Sequence, residues 1–331
     1  MMLQPSKTFV VCEMSQTYEG SFEVASRLVQ AAVEAKSDAI KFQVFKASEL
    51  ATPDYKHFGL FSRLELPPQQ WGVLIDQAHQ GSIRALADVF GIKSAQMLLE
   101  QKIDGFKIHP TDIKNIPLLI FLAKSGKPLL LSVGGSYPDE ITLAIATLRK
   151  NGASEIILMH GFQSYPTLVE DANLNKMVLL HQTYGLPVGF ADHIDGDHMV
   201  RYDLCALAMG LGARLIEKHI TVDRALKMED YESALNPSEF KEFVGHIRAL
   251  DNAFGSASLN LSKAEEAYRK VTKKHIVAAR NLPAGTLVSE SDIAMKRTAE
   301  EYDFQNQEDI LGKKTRQEIA KDRVIRLEFL D

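Results

Sequence analysis

Eight short runs rich in apolar and β-branched residues, each followed by a longer helical pattern, fill roughly the first 255 residues of this 331-residue chain. The runs are Phe9–Glu13, Ala39–Gln43, Ile83–Ala87, Gly105–His109, Leu129–Val133, Glu155–His160, Pro187–Ala191 and Arg214–Ile220. Strands that alternate with helices pair in parallel, because each helical crossover returns the chain to the same end of the sheet. Boundary signals mark the helices: Gly20-Ser21 precedes Phe22–Lys36, Pro67-Pro68 precedes Gln69–Gln80, and Pro138 and Gly152 bracket Asp139–Lys150. Eight such units in this length predict an α/β fold of the (β/α)8 TIM-barrel type rather than a doubly wound sheet.

A barrel of this kind does its chemistry at the carboxyl ends of its strands, so the polar residues ending each run become the candidates. They are Glu13, Lys41 and Gln43, Asp88, Lys107 and His109, Ser132, His160, Asp192 and His193, and Glu217 and His219. After Gly255 the texture changes. Shorter β-like runs and a Pro283-Ala284-Gly285 turn predict a small satellite domain. The expected division is a barrel over 1–258, a linker over 259–272 and a satellite domain over 273–331.

Composition narrows the function classes. With 38 Lys and Arg against 43 Asp and Glu, the formal charge is −5, which offers no general attraction to nucleic acid or to an anionic membrane. Any anionic substrate must therefore meet a local cluster of bases. The two cysteines, Cys12 and Cys205, form no CxxC pair and suggest neither a disulfide framework nor a thiolate metal site. No apolar run is long enough for a signal peptide or a membrane span, so a cytoplasmic location is expected.

His193 and His219 end the seventh and eighth runs. Neighbouring strands lie about 5 Å apart, so imidazoles at matching height can share a divalent cation. Each can equally cap its strand or satisfy a loop carbonyl. Lys41 and Lys107 sit within otherwise apolar runs, where a buried ammonium needs a counter-charge. Glu13, Asp88 and Glu217 can supply it, or a bound phosphate or carboxylate can; the strand-end placement favours the ligand. The glycines of Ser132-Val133-Gly134-Gly135-Ser136 would let backbone N–H groups approach an anion, although such turns are common strand exits.

With these residues in view, the chain resembles the N-acetylneuraminate (sialic acid) synthase family, including its spore-coat polysaccharide relatives. The resemblance rests on Ser37-Asp38-Ala39-Ile40-Lys41-Phe42-Gln43, Gly126-Lys127-Pro128-Leu129 to Gly134, Ser164-Tyr165-Pro166-Thr167, Gly189 to His193, and Glu217-Lys218-His219 through Arg224. The tail from His275 to Arg297 is similar to that family's antifreeze-like (SAF) domain. The resemblance implies a metal-dependent condensation of phosphoenolpyruvate with an N-acetylated sugar aldehyde of the N-acetylmannosamine type. The products would be a nonulosonic acid and phosphate.

It further implies that His193 and His219 hold manganese or magnesium, and that Glu13 handles protons and positions the attacking water. Lys41, Gln43, Lys107, Ser132 and Tyr165 would grip phosphoenolpyruvate. Asp192 joins the substrate-binding group, Asp230 would hold sugar hydroxyls, and Arg297 would reach the site of a partner in a domain-swapped homodimer. At several positions the chain departs from the family pattern: Leu86-Ala87-Asp88 stands for Ser-Thr-Pro, Ala191 for a serine, and Met228-Glu229-Asp230-Tyr231 for Gly-Pro-Asp-His. Two further readings remain open. One is a Schiff-base aldolase on the same barrel using Lys41 or Lys107; the other is a catalytically silent sugar-binding homologue.

Overall fold

The computed structural model describes residues 2–3, 7–164 and 166–331. The chain divides into two compact units, Met1–Gly255 and Ser256–Asp331.

In the first unit eight parallel strands pair in sequence order, and β1 (Phe9–Glu13) also pairs with β8 (Leu215–Ile220), which closes the barrel. The intervening strands are β2 (Ala39–Val44), β3 (Arg84–Val89), β4 (Gly105–Ile108), β5 (Leu129–Ser132), β6 (Ile156–His160) and β7 (Val188–Asp192). Every expected strand is present, with its ends shifted by at most two residues. A two-residue strand, β9 (Ala234–Leu235), pairs with the end of β8. It is too short to show any periodicity in the sequence.

Strand alternation divides the apolar residues into two layers. Val10, Cys12, Ile40, Phe42, Ala85 and Ala87 face outward and pack against the surrounding helices. Phe9, Val11, Ala39, Leu86, Leu130, Ile157, Met159, Ala191 and Leu215 fill the amino-terminal part of the barrel interior. This greasy plug leaves inward positions only toward the carboxyl ends. The parity that buries Phe9 and Val11 also turns Glu13 inward, and that of Leu215 turns Glu217 and His219 inward.

Helices begin where side chains satisfy their first N–H groups. Ser21 accepts from the Val24 N–H at 3.3 Å to start Phe22–Glu34, and Asn115 accepts from the Leu118 N–H at 3.4 Å to start Ile116–Lys124. Among the described residues no helix is long and apolar enough to cross a membrane.

The second unit has its own small core of Ile276, Ala278, Leu282, Val288, Ile310, Ile319, Ile325 and Leu330. Its antiparallel strands β10 (His275–Ala278) and β11 (Ile293–Lys296) pair directly. A helix, Lys263–Thr272, occupies most of the stretch expected to be linker; Ser262 accepts from the Glu265 N–H at its start. That Ser-x-x-Glu capping box is readable in the sequence.

Candidate active site

The carboxyl ends of β1, β2, β3, β4 and β8 bring together five buried ionisable side chains. Lys41 Nζ lies 2.6 Å from Glu13 Oε2 and 3.6 Å from Glu217 Oε1, and it also contacts Asp88. Lys107 Nζ donates to Glu217 Oε1 at 2.7 Å and lies 3.8 Å from Asp88 Oδ2. Three carboxylates thus share two ammonium groups. Burial pushes the Glu13 carboxyl up to about 8, with Lys41 opposing and the negative charges of Glu217 and Asp88 adding to the rise. Burial alone would raise Asp88 and Glu217 too, but Lys107 and Lys41 outweigh it and hold both below the usual carboxylate range.

The consequence at neutral pH is a cage with no net charge: Lys41 and Lys107 balance Asp88 and Glu217, while Glu13 keeps its proton. Of the two counter-charges left open by the sequence, the chain's own carboxylates are the ones that stand beside both lysines here. Closing the barrel places Asp88 and Glu217 beside the two lysines. The same contacts bear on the Schiff-base reading. Burial would lower the Lys41 pKa, but Asp88, Glu13 and Glu217 outweigh it and hold the ammonium well above its ordinary value, opposite to what an amine nucleophile needs.

His193 and His219 meet at the mouth, both buried, with ring centroids 4.9 Å apart and planes at 62°. Burial, with Lys107 assisting, pushes His193 down to about 4; burial and the neighbouring His193 ring push His219 well below its usual value. Both rings are accordingly neutral near pH 7, the form in which imidazole ligates a cation. The pair fits a divalent ion in donor type, protonation and proximity. Among the described residues no cluster of three or more His, Cys, Asp or Glu side chains is arranged for a metal.

Asp192 does not belong to the site. On β7 the odd-numbered Ala191 faces the barrel interior, so Asp192 points outward into the helical layer. There it accepts from Lys218 Nζ at 2.7 Å, from the Cys205 thiol at 3.3 Å and from the Ile194 N–H at 3.0 Å. Lys218 has the same outward parity on β8, so the two buried charges pair between the strands and the helix Asp203–Gly210. Asp192 is a structural counter-ion.

Among the other candidates, Ser132 is buried at the end of β5, and Gln43 accepts from Gln16 Nε2 at 3.3 Å. Asp230 lies near Gln16, whose N–H it accepts at 3.4 Å, and burial pushes its carboxyl up to about 6. Tyr165 lies outside the described residues. Arg297 is exposed on the second unit and donates from Nε to the Thr272 carbonyl at 3.1 Å.

The Gly134 turn has a packing role. A Cβ there would stand 2.0 Å from the Gly161 carbonyl oxygen, and Gly161, at φ +127°, would in turn meet the Ala191 carbonyl at 2.2 Å. The exits of β5, β6 and β7 are stacked backbone against backbone, which these glycines permit.

Some mouth residues have no signal at strand ends. Gln16, Tyr55, Phe61, Phe90 and Gln163 line a cavity of about 700 Å³ with Gln43, His109 and Asp230. Phe61 lies on the short helix Phe58–Leu64 and the others on loops, where period-two reasoning has no purchase; the aromatic density between Phe42 and Phe61 is the available hint.

A closed parallel barrel with neutral imidazoles and a buried ionic cage at its carboxyl-terminal mouth defines a (β/α)8 enzyme fold with a small appended domain. The NeuB family model matches residues 28–258, and the SAF domain model matches 274–331. The chain belongs to the NeuB family. It is 31% identical to an N,N'-diacetyllegionaminic acid synthase of Campylobacter jejuni over 336 residues, covering 97% of this chain and 99% of that one. It is 30% identical to a spore coat polysaccharide biosynthesis protein of Bacillus subtilis, covering 87% of this chain and 83% of the relative. A crystal structure of N-acetylneuraminic acid synthetase from Leptospira borgpetersenii superposes with a TM-score of 0.73 at 30% identity, covering 80% of this chain and 92% of that one.

Proposed function

We propose that the chain condenses phosphoenolpyruvate with the open-chain aldehyde of an N-acetylated sugar, of the N-acetylmannosamine type, to give a nonulosonic acid and inorganic phosphate. The observation that carries this reading is the facing pair His193 and His219 at the mouth of a barrel whose Glu13 has a near-neutral pKa. Sequence kinship with a legionaminic acid synthase supports it.

His193 and His219 would hold manganese or magnesium, and such an ion when bound polarises the aldehyde as a Lewis acid. Glu13 carries its proton near pH 7 and can pass it from its carboxyl group to the aldehyde oxygen as C3 of the enol phosphate attacks. The resulting carboxylate can take a proton from the water that adds to the oxocarbenium-like C2. That step restores the Glu13 proton; phosphate then departs from C2 as the new hydroxyl becomes the C2 carbonyl, and the hydroxyl proton leaves with the phosphate. Lys41, Lys107, Gln43 and Ser132 would bind the donor's carboxylate and phosphate, which requires the lysines to exchange carboxylate partners for substrate oxygens. Arg297, on the appended domain, would contact the acyl group in the barrel of a second copy of the chain.

The test is incubation with phosphoenolpyruvate and a panel of N-acetyl hexosamines, with mass detection of the product and measurement of phosphate release. Product with none of the sugars defeats the reading. One observation favours a second reading, the silent sugar-binding homologue: Asp88 neutralises the cage where a phosphate would need positive charge. Sugar binding without phosphate release across the panel would establish it. If Arg297 acts across subunits, mixing a barrel mutant with Arg297→Ala should recover part of the activity; no recovery rules out a shared site.

A further inference from the structure

The two imidazoles at the mouth are anchored unequally. His219 lies within β8, whose end is flanked on both edges: Glu13 of β1 stands opposite His219 on one side and Ala234 of β9 on the other. The sheet ladder therefore fixes its backbone. β7 leaves β8 one residue too early to do the same for His193, since the last pairing between the two strands is Asp192 with Lys218. β9 then takes the edge of β8 that β7 has vacated.

His193 draws its support from outside that ladder. Its carbonyl oxygen accepts from the Thr167 N–H at 2.8 Å and from Ser233 Oγ at 2.6 Å. Ser233 is completely buried and ends the short turn Tyr231–Ser233, immediately before β9. Because Ser233 and Ala234 are consecutive, one stretch of backbone ties the carbonyl of His193 to the ladder partner of His219. The loop after His193 lies against the same turn: the Gly196 N–H donates to the Glu232 carbonyl at 2.8 Å, and a Cβ on Gly196 would stand 2.2 Å from the Ala234 oxygen. Removing the serine hydroxyl leaves no buried acceptor unpaired, because Thr167 still donates to the carbonyl. What is lost is the second direction of restraint on the His193 backbone.

We propose that Ser233 is a positioning residue: by bonding the His193 carbonyl it holds that imidazole opposite His219, with ring centroids 4.9 Å apart, so that the two can share a divalent ion. Groups one bond removed from a metal ligand are worth about tenfold to a hundredfold in affinity, since a misplaced donor must be brought back before it ligates. That this ion serves the condensation rests on the function proposed above; the tie to His193 rests on the contacts of Ser233 alone.

The experiment titrates manganese alone into the metal-free full chain and reads the free ion by electron paramagnetic resonance. Ser233→Ala should weaken manganese binding about tenfold. The control is Ser37→Ala, because Ser37 is also buried and its hydroxyl also donates to a carbonyl, that of Ala32 at 3.0 Å, but it precedes β2 at the amino-terminal end of the barrel. This variant should bind manganese as the native chain does. If Ser233→Ala does not fold, Ser233→Cys, of nearly the same shape with a weaker donor, is read by the same criterion. Native affinity in the Ser233 variant overturns the proposal, as does an equal loss in Ser37→Ala or a native chain that binds no manganese. If Ser233→Ala weakens binding and the native chain still releases no phosphate from phosphoenolpyruvate with any sugar of the panel, the condensation fails and the positioning role stands. Native affinity in the variant beside phosphate release by the native chain removes the positioning role alone.

Discussion

Replacing Asp88 by Asn should weaken the fold and improve donor binding at once. In the native cage Asp88 contacts Lys41 and lies 3.8 Å from Lys107. Breaking a buried pair by removing one partner usually costs about 3–5 kcal/mol. Here the loss is smaller, about 1–3 kcal/mol, because Lys41 keeps Glu13 at 2.6 Å and Lys107 keeps Glu217 at 2.7 Å. Glu13 compensates further: without the repulsion of Asp88 its carboxyl ionises more readily, so its pKa falls from about 8.

The donor gains. Unit charges 4 Å apart at an effective dielectric of 20 repel by about 4 kcal/mol. A tenfold to hundredfold fall in KM needs only about 1.4–2.8 kcal/mol of relief, leaving room for the cost of reprotonating Glu13. Urea unfolding reads the stability, and initial-rate kinetics at saturating sugar reads the phosphoenolpyruvate KM. If turnover is absent, calorimetric binding of phosphoenolpyruvate replaces the kinetics. A folded Asp88→Asn protein whose donor affinity is unchanged or weaker would refute the idea that Asp88 occupies the ammonium groups at the donor's expense.

Asp192→Asn should cost about 3–5 kcal/mol in urea unfolding, since Lys218 would be left buried without its counter-charge; a selective change in donor KM with native stability would instead return Asp192 to the site. His193→Ala or His219→Ala should abolish metal retention and turnover while circular dichroism stays native, and full activity of either variant after chelation would remove the metal from the account. Glu13 bears on stability through pH. Its folded pKa, raised to about 8 from an ordinary 4.5, means the folded state binds the extra proton between those values, so this group's contribution to stability falls as pH rises from about 4.5 to 8. Glu13→Gln should flatten that slope and remove activity; an unaltered slope would show that Glu13 titrates normally.

Much of this architecture was written along the chain, for a local reason. Apolar runs of strand length alternating with helical patterns specify a parallel barrel whichever residues decorate it, and the polar residue at each strand's end sits at the mouth by geometry alone. Parity within a strand was also available: on β7, Gly189 and Ala191 share one face and Phe190 and Asp192 the other, which is why Asp192 serves the outer layer. The capping box before Lys263 likewise announced a helix where a linker was expected.

What the linear order could not decide was which buried charge meets which. Lys41 and Glu217 are separated by most of the barrel's length in sequence and become neighbours only when β8 closes on β1. Whether a buried ammonium awaits a ligand or already has its carboxylate depends on distances of a few ångströms, because electrostatic energy in a low-dielectric interior falls steeply with separation. The same holds for the aromatic panel of Phe45, Tyr55, Phe61 and Phe90, assembled from strand exits, a loop and the short helix Phe58–Leu64, whose meeting no local period announces. Chain order sets the scaffold through local periodicity; closure of the barrel sets the charge of its mouth.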